Sequence, residues 1–413
     1  MNRVLSLLLA LSAFPSFAWS APAPVSSTDR ALHKGMMVLD THLDTPAQFS
    51  RPGWDIMDRH DRRLDQSQVD YPRMIEGGLD GGFWSIYTSQ GPLTPQGYAT
   101  ARDAALVRAV EIREMVARHH DRFALAFRAA DAAPILAGGR KVVFQSIENS
   151  YPLGEDLGLL STFHRLGVRM VGPVHFSNNQ FADSATDPNG KRWNGLSPLG
   201  QALVKEANRL GMILDGSHAS DDVLDQLIDL SEAPVILSHS GVKAVYDHPR
   251  NIPDALLRKL ADKGGVIQIN AYSAYLIATP PNPQRMEALR ALNTTYGPRD
   301  RLTAAQLAAY NRERVAIEDR FPVPRATFED FMKHLLHALE VAGVDHVGVG
   351  ADWDGGGGLI GFEDISALPQ VTARLRQAGY GEAGLRKIWG GNVLRLLGEV
   401  EVVAERLRSG AAQ

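Results

Sequence analysis

The chain has 413 residues, 44% hydrophobic and 22% charged, the balance of a globular protein that buries a real core. Its formal net charge of −4, without any long basic run, gives no general attraction to nucleic acid or anionic lipid, so no nucleic-acid partner is expected. It has no cysteine, which excludes disulfides, thiolate nucleophiles and Cys-ligated metal; any metal must be held by His, Asp and Glu, as in catalytic rather than closed structural sites.

At the N-terminus Arg3 precedes an apolar run from Val4 to Phe14, and small residues follow at Ala18, Ser20 and Ala21. That order predicts a secretory signal peptide over residues 1–20 and a single mature domain over 21–413, periplasmic or secreted. The apolar run is short for a membrane span, and no Cys lies near the cut for a lipid. The polar stretch from Glu401 to Gln413 offers no hydrophobic tail, so no stable membrane anchor is expected.

After a Pro/Ser linker, short apolar runs predict strands at Met37–Leu43, Gly82–Tyr87, Lys141–Ile147 and Val168–Val174. Further strands are predicted at Met212–Asp215, Val235–Ser238, Val266–Asn270 and His346–Ala351. Most are rich in Val, Ile or aromatics, as parallel strands buried on both faces are. Amphipathic helices are predicted between them, at Tyr98–His119, Gly200–Leu210, Asp221–Leu230, Pro253–Lys263 and Phe328–Ala342. Eight strands alternating with helices read as βα repeats, and closure into a (β/α)8 TIM barrel with loop insertions is the economical architecture. Two long stretches interrupt it. Gln48–Tyr71 is highly charged and follows the first strand; Thr279–Arg325 is polar, rich in Pro and Arg, and forms an insertion between the seventh strand and its helix. Loops of this length are usually functional or disordered, and a lid or a dimer contact would suit the second.

In such a barrel the active site is built at the carboxyl ends of the strands, which filters the 13 histidines by position. The first strand ends Asp40-Thr41-His42-Leu43-Asp44, and alternation puts His42 and Asp44 on one face, where they can grip a divalent cation. Taken alone, the same pair could be a hydrogen-bonded loop start. The third strand ends on Glu148, a carboxylate that is costly after so apolar a run unless it meets a cation or a donor; its two oxygens suit a bridge between two metals. His218 and His239 follow the apolar runs of the fifth and sixth strands, respectively. One such His is usually structural. Two, joined by His42, Asp44 and Glu148, argue for a metal site. Asp352 ends the last strand, where a barrel hydrolase needs a proton shuttle, and the Gly run from Gly355 leaves room for a substrate to approach.

This set, in this order from His42 to Arg395, resembles the membrane (renal) dipeptidase family, zinc-dependent peptidases of the metal-dependent barrel hydrolase group. The resemblance implies two zinc ions per chain, bridged by Glu148 and a water or hydroxide, with His42 and Asp44 on one ion and His218 and His239 on the other. It implies that Asp352 handles the proton of the bridging water. His175-Phe176-Ser177-Asn178 resembles the family's His-x-x-Asn segment, whose His contacts the substrate carbonyl region. Arg250-Asn251-Ile252-Pro253-Asp254 resembles a stretch whose Arg holds the substrate's terminal carboxylate, and Tyr275 is a further candidate for that carboxylate. The chain departs from the family at Pro173-Val174, at Trp353 and in its long loop after the seventh strand. The expected activity is hydrolysis of dipeptides. The alternatives are another small amide, such as a β-lactam or a peptide-derived metabolite, and a barrel that binds peptides without turnover. Any homodimer must be noncovalent.

Overall fold

The computed structural model describes residues 25–297 and 299–410, so the expected signal segment lies outside the described residues. Its strands are β1 (Leu39–Leu43), β2 (Gly81–Ile86), β3 (Phe123–Leu125), β4 (Lys141–Ile147) and β5 (Val168–Val171). They continue with β6 (Ile213–Leu214), β7 (Ile236–Val242), β8 (Asn251–Ile252), β9 (Val266–Ile269) and β10 (Val347–Val349). One parallel ladder runs β1-β2-β4-β5-β6 and another β7-β9-β10. Single parallel bridges, Asp215 to Ile236 and Leu43 to Trp353, join the two ladders into a ring of eight. At these seams Gly216 N–H donates to Ile236 O (2.8 Å) and Asp44 N–H to Trp353 O (2.9 Å). The (β/α)8 barrel expected from the repeats is therefore the fold. β3, paired to β4, and β8, paired to β7, lie off the ring. Neither was expected from the sequence, because two or three residues are too few to show a period.

Two of the intervening helices begin earlier than expected. Pro95–Arg118 and Pro198–Leu210 each open on a proline, which lacks an N–H that a first turn would leave unpaired anyway. Thr94 and Ser197 cap them by accepting from the N–H groups of Gly97 and Gly200. The helices Asp221–Leu230 and Phe328–Ala342 have the expected bounds. No helix among the described residues is long and apolar enough to cross a membrane.

The ring has an apolar floor and a polar rim. Leu39, Phe83, Phe144, Met170, Ile213 and Ile236, near the strand starts, pack with Val393, Leu396, Leu397 and Val400 of the last helix, Asn392–Ser409. Burying such side chains contributes about 1.5–3 kcal/mol each. The polar side chains collect where the strands end.

The two long excursions meet each other. Thr279–Arg325 carries two helices, Pro283–Tyr296 and Ala304–Arg320, which close on a small core of Leu292, Leu302, Leu307 and Tyr310. Thr303 and Gln306 form a reciprocal capping box at the start of the second. Arg314 of that helix donates to the carbonyls of Arg63 (2.8 Å) and Leu64 (3.0 Å) in the first excursion, and Arg63 pairs with Asp319.

Candidate metal centre and active site

β1 is buried along its whole length and delivers His42 and, just beyond its end, Asp44. Asp40 fixes this strand end: its carboxylate accepts from His42 N–H (2.9 Å) and from Ala351 N–H (3.0 Å), tying the first strand to the last. Glu148 follows β4, His175 lies beyond β5, His218 beyond β6, and His239 is inside β7. All are less than a tenth exposed.

These side chains converge on one atom. Glu148 Oε1 lies 3.5 Å from His42 Nε2, 3.2 Å from His175 Nε2, 3.2 Å from His218 Nε2 and 3.6 Å from His239 Nε2. His42 Nε2 is also 3.3 Å from Asp44, and the His42 ring stacks on that of His239 with centroids 3.8 Å apart. The atoms fall into three overlapping ligand groups: His42 with Glu148 and His239, Glu148 with His175 and His218, and His42 with Asp44 and Asp352. The structure thus brings every expected ligand together, and places His175 as close to the central carboxylate as His218.

The donor set suits a cation. Neither ring nitrogen of His42 has a hydrogen-bond partner, nor do Asp44 Oδ1 and His218 Nδ1, although all are buried. Such orphans are costly unless something absent from the protein chain meets them. His239 supplies a sharper argument. Asp215 accepts from Ser238 N–H (2.9 Å) and from the Ser238 hydroxyl. The Ser238 oxygen, 2.8 Å from His239 Nδ1, is then left to accept from it. That tautomer leaves a lone pair on His239 Nε2, 2.9 Å from His218 Nε2. A carboxylate-to-serine-to-histidine relay of this kind orients a ligand and raises its basicity. Asp215 and Ser238 were not among the residues expected from the sequence; the available signal was a carboxylate directly after an apolar run, the same signal that identified Glu148.

Electrostatics follow the geometry. Burial disfavours a charged His42, yet Asp44 and Glu148 push it up to about 10. Burial, then the charge of Arg250, holds His218 well below its ordinary value, and burial with His42 does the same to His239. Burial would raise Glu148, but His175 and His42 hold it well below the usual carboxylate range. Asp352 goes the other way: burial raises it well above the usual carboxylate range, His42 pulls against that, and the like charges of Asp44 and Glu148 push it further up. Two carboxylates in one site thus have opposite protonation preferences, the arrangement that separates an acid from a base.

His218 (φ 66°) and Asp352 (φ 61°) both lie in the left-handed region. Backbone strain of about 1–3 kcal/mol at each persists only where the surroundings fix the residue. The glycines after Asp352 have a tighter duty than the open room expected of them. A Cβ on Gly355 would lie 2.0 Å from Asp44 Oδ2 and 2.3 Å from Asp352 Oδ1, so the loop backs directly onto these carboxylates.

Arg250 is buried at the rim, donating to His239 O (3.0 Å), and its guanidinium carbon lies 5.1 Å from the Tyr275 ring centroid. Its Nε has no partner. Tyr275 is buried beside it and pushed up to about 12, first by burial. Arg250 and Tyr275 thus stand together at the edge of the cluster.

The sequence profile of the family described as membrane dipeptidase (peptidase family M19) matches residues 27–410. "Dipeptidase tcpJ" of Claviceps purpurea is 32% identical over 345 residues, 81% of this chain and 70% of that protein. "Dipeptidase aclJ" of Aspergillus oryzae is 32% identical over 347 residues, 82% of this chain and 72% of that protein. Among solved structures, the probable dipeptidase PvdM from Pseudomonas aeruginosa superposes with a TM-score of 0.76 at 29% identity, covering 91% of this chain and 98% of that one. A metallopeptidase from Rhodobacter sphaeroides, liganded with a phosphinate mimic of L-Ala-D-Ala, gives a TM-score of 0.69 at 26% identity over 88% and 99% of the two chains. The chain belongs to the membrane dipeptidase family, peptidase family M19.

Proposed function

We propose that this member of the family hydrolyses the peptide bond of dipeptides at a two-zinc centre. The ligands are His42 and Asp44 on one side, His218 and His239 on the other, and Glu148 between them. The observation that carries this reading is the convergence of four imidazole nitrogens on the single oxygen Glu148 Oε1. When bound, two zinc ions polarise a carbonyl and lower the pKa of a shared water towards neutrality.

The remaining steps fall to the protein's own groups. Asp352, whose burial raises its affinity for a proton, takes the water's proton as a carboxylate and delivers it to the leaving amine. His175, ring against ring with His218 (centroids 4.0 Å), donates to the oxyanion that develops on the scissile carbonyl. Arg250 forks onto the free α-carboxylate and Tyr275 walls that pocket. Residues 1–20 support export, placing the reaction outside the cytoplasm.

The test is metal content together with turnover. Elemental analysis of zinc-reconstituted mature protein should return close to two ions per chain, and a small L-L and L-D dipeptide library should contain substrates. Glu148→Gln should lower occupancy of both ions. One ion or none in the unmodified protein would overturn the reading.

A further inference from the structure

Between the two excursions lies a cleft of about 870 Å³, larger than a dipeptide needs, whose walls are dominated by arginine. It adjoins the metal centre. Gly355 and Gly356 line it, and the first backs onto Asp44 and Asp352 as described. Tyr272, also in its wall, meets Tyr275 edge to face at 4.6 Å, so the two tyrosines stand between the cleft and Arg250.

Much of this positive charge is already used. Arg63 pairs with Asp319, and Arg314 and Arg285 share Glu318 at 2.7 Å and 3.3 Å. These hold the excursions together. Asp354 accepts from Gln68 N–H (2.6 Å) and from the Thr45 hydroxyl (2.7 Å), so it is engaged as well. Arg62, also in the wall, lies 3.8 Å from Asp364, which leaves three arginines over. Arg51, Arg299 and Arg325 line the cleft, and among the described side chains neither Arg51 nor Arg325 has a carboxylate within 4 Å. Arg51 donates only to Asp65 O (2.9 Å), and Arg325 reaches only Gly358 O at 3.4 Å. Asp354 and Asp65 act on Arg51, and Glu363 and Glu318 on Arg325, only from beyond ion-pair distance, so an anion entering the cleft would still be stabilised.

Resting on the dipeptidase reading, we propose that this cleft is an acyl-side subsite for substrates bearing an anionic group on the amino-terminal side of the scissile bond. Arg250 takes the α-carboxylate at one end of the substrate. The cleft, beyond the tyrosines, receives the other end, and Arg51 and Arg325 bind its anion. A carboxylate and a phosphate meet the same chemistry here.

Matched pairs separate charge from shape. Glu-Ala against Gln-Ala tests the carboxylate, and O-phosphoseryl-Ala against Ser-Ala tests the phosphate. Hydrogen bonds to charged groups lead to an expected preference in kcat/KM of about 10- to 100-fold for the anionic member of at least one pair, shrinking with added salt. In Arg51→Gln and Arg325→Gln that preference should fall towards one; Arg325 is exposed, so its replacement does not challenge folding. Equal rates within both pairs, or a preference untouched by both variants, would overturn the subsite while leaving the dipeptidase reading standing. If no dipeptide is turned over, that reading fails, and calorimetry decides the cleft separately. Glutarate should bind the unmodified protein and bind at least tenfold more weakly to the Arg51→Gln variant. Equal binding to both proteins would overturn the subsite.

Discussion

The mouth of the barrel holds two polar territories built in opposite ways. At the strand ends, His42, Glu148, His218 and His239 are each nearly solvent-free and positioned by regular ladders, with their charges compensated by one another. Between the excursions, Arg299 and Arg325 are exposed, Arg299 on a single 3-10 turn and Arg325 on irregular backbone without a carboxylate partner among the described side chains. The first territory holds the candidate metal ligands; the second holds the cleft proposed to select among substrates. Precision comes from the scaffold, and selectivity from loops that the scaffold only brings close.

The strongest way to break that division is at Asp352. Asp352→Asn should keep its metal and lose turnover on the order of 10²-fold or more, as a missing proton carrier would. Metal analysis and kinetics on the same preparation decide it: a variant that loses metal makes Asp352 a ligand. Arg250→Ala comes next. Its kcat/KM towards dipeptides should fall by roughly 10- to 100-fold, whereas dipeptide amides, lacking the carboxylate, should lose far less. Equal losses for acid and amide would mean that Arg250 braces the loop instead. The smallest effect on the chemistry is expected from Leu307→Ala, in the core of the insertion. Truncating a buried Leu costs about 2–5 kcal/mol. Here the damage should stay local, seen as faster proteolytic cleavage within 283–320 with metal content unchanged. Loss of metal in that variant would show that the two territories fold as one.

What was legible in the sequence follows the same division. Parallel strands announce themselves as apolar runs, and a polar residue ending such a run faces the mouth, so His42, Glu148, His218 and His239 could be named from their spacing. Asp215 ended a run in the same manner, but its partner Ser238 belongs to the neighbouring strand, and a contact across strands leaves no period in the chain. The arginine cleft was less legible still. Arg51 and Arg325 stand at opposite ends of the barrel's sequence, and nothing local to either shows that the Ala304–Arg320 helix would dock on residues 63 and 64. The insertion's two helices were also missed, since their small core interrupts a polar, arginine-rich composition with only a few apolar positions.

The seam between Leu43 and Trp353 has a consequence for how the protein comes into being. Translation delivers β1, with His42 and Asp44, well before β10. Until β10 emerges from the ribosome, Asp44 N–H lacks the carbonyl of Trp353 and Asp40 lacks the N–H of Ala351. A nascent chain can therefore own every imidazole of the cluster while having neither a closed ring nor Asp352. Ring closure and completion of the reactive centre are one event. On the proposed reading, a chain truncated before β10 lacks Asp352 and should cleave no dipeptide.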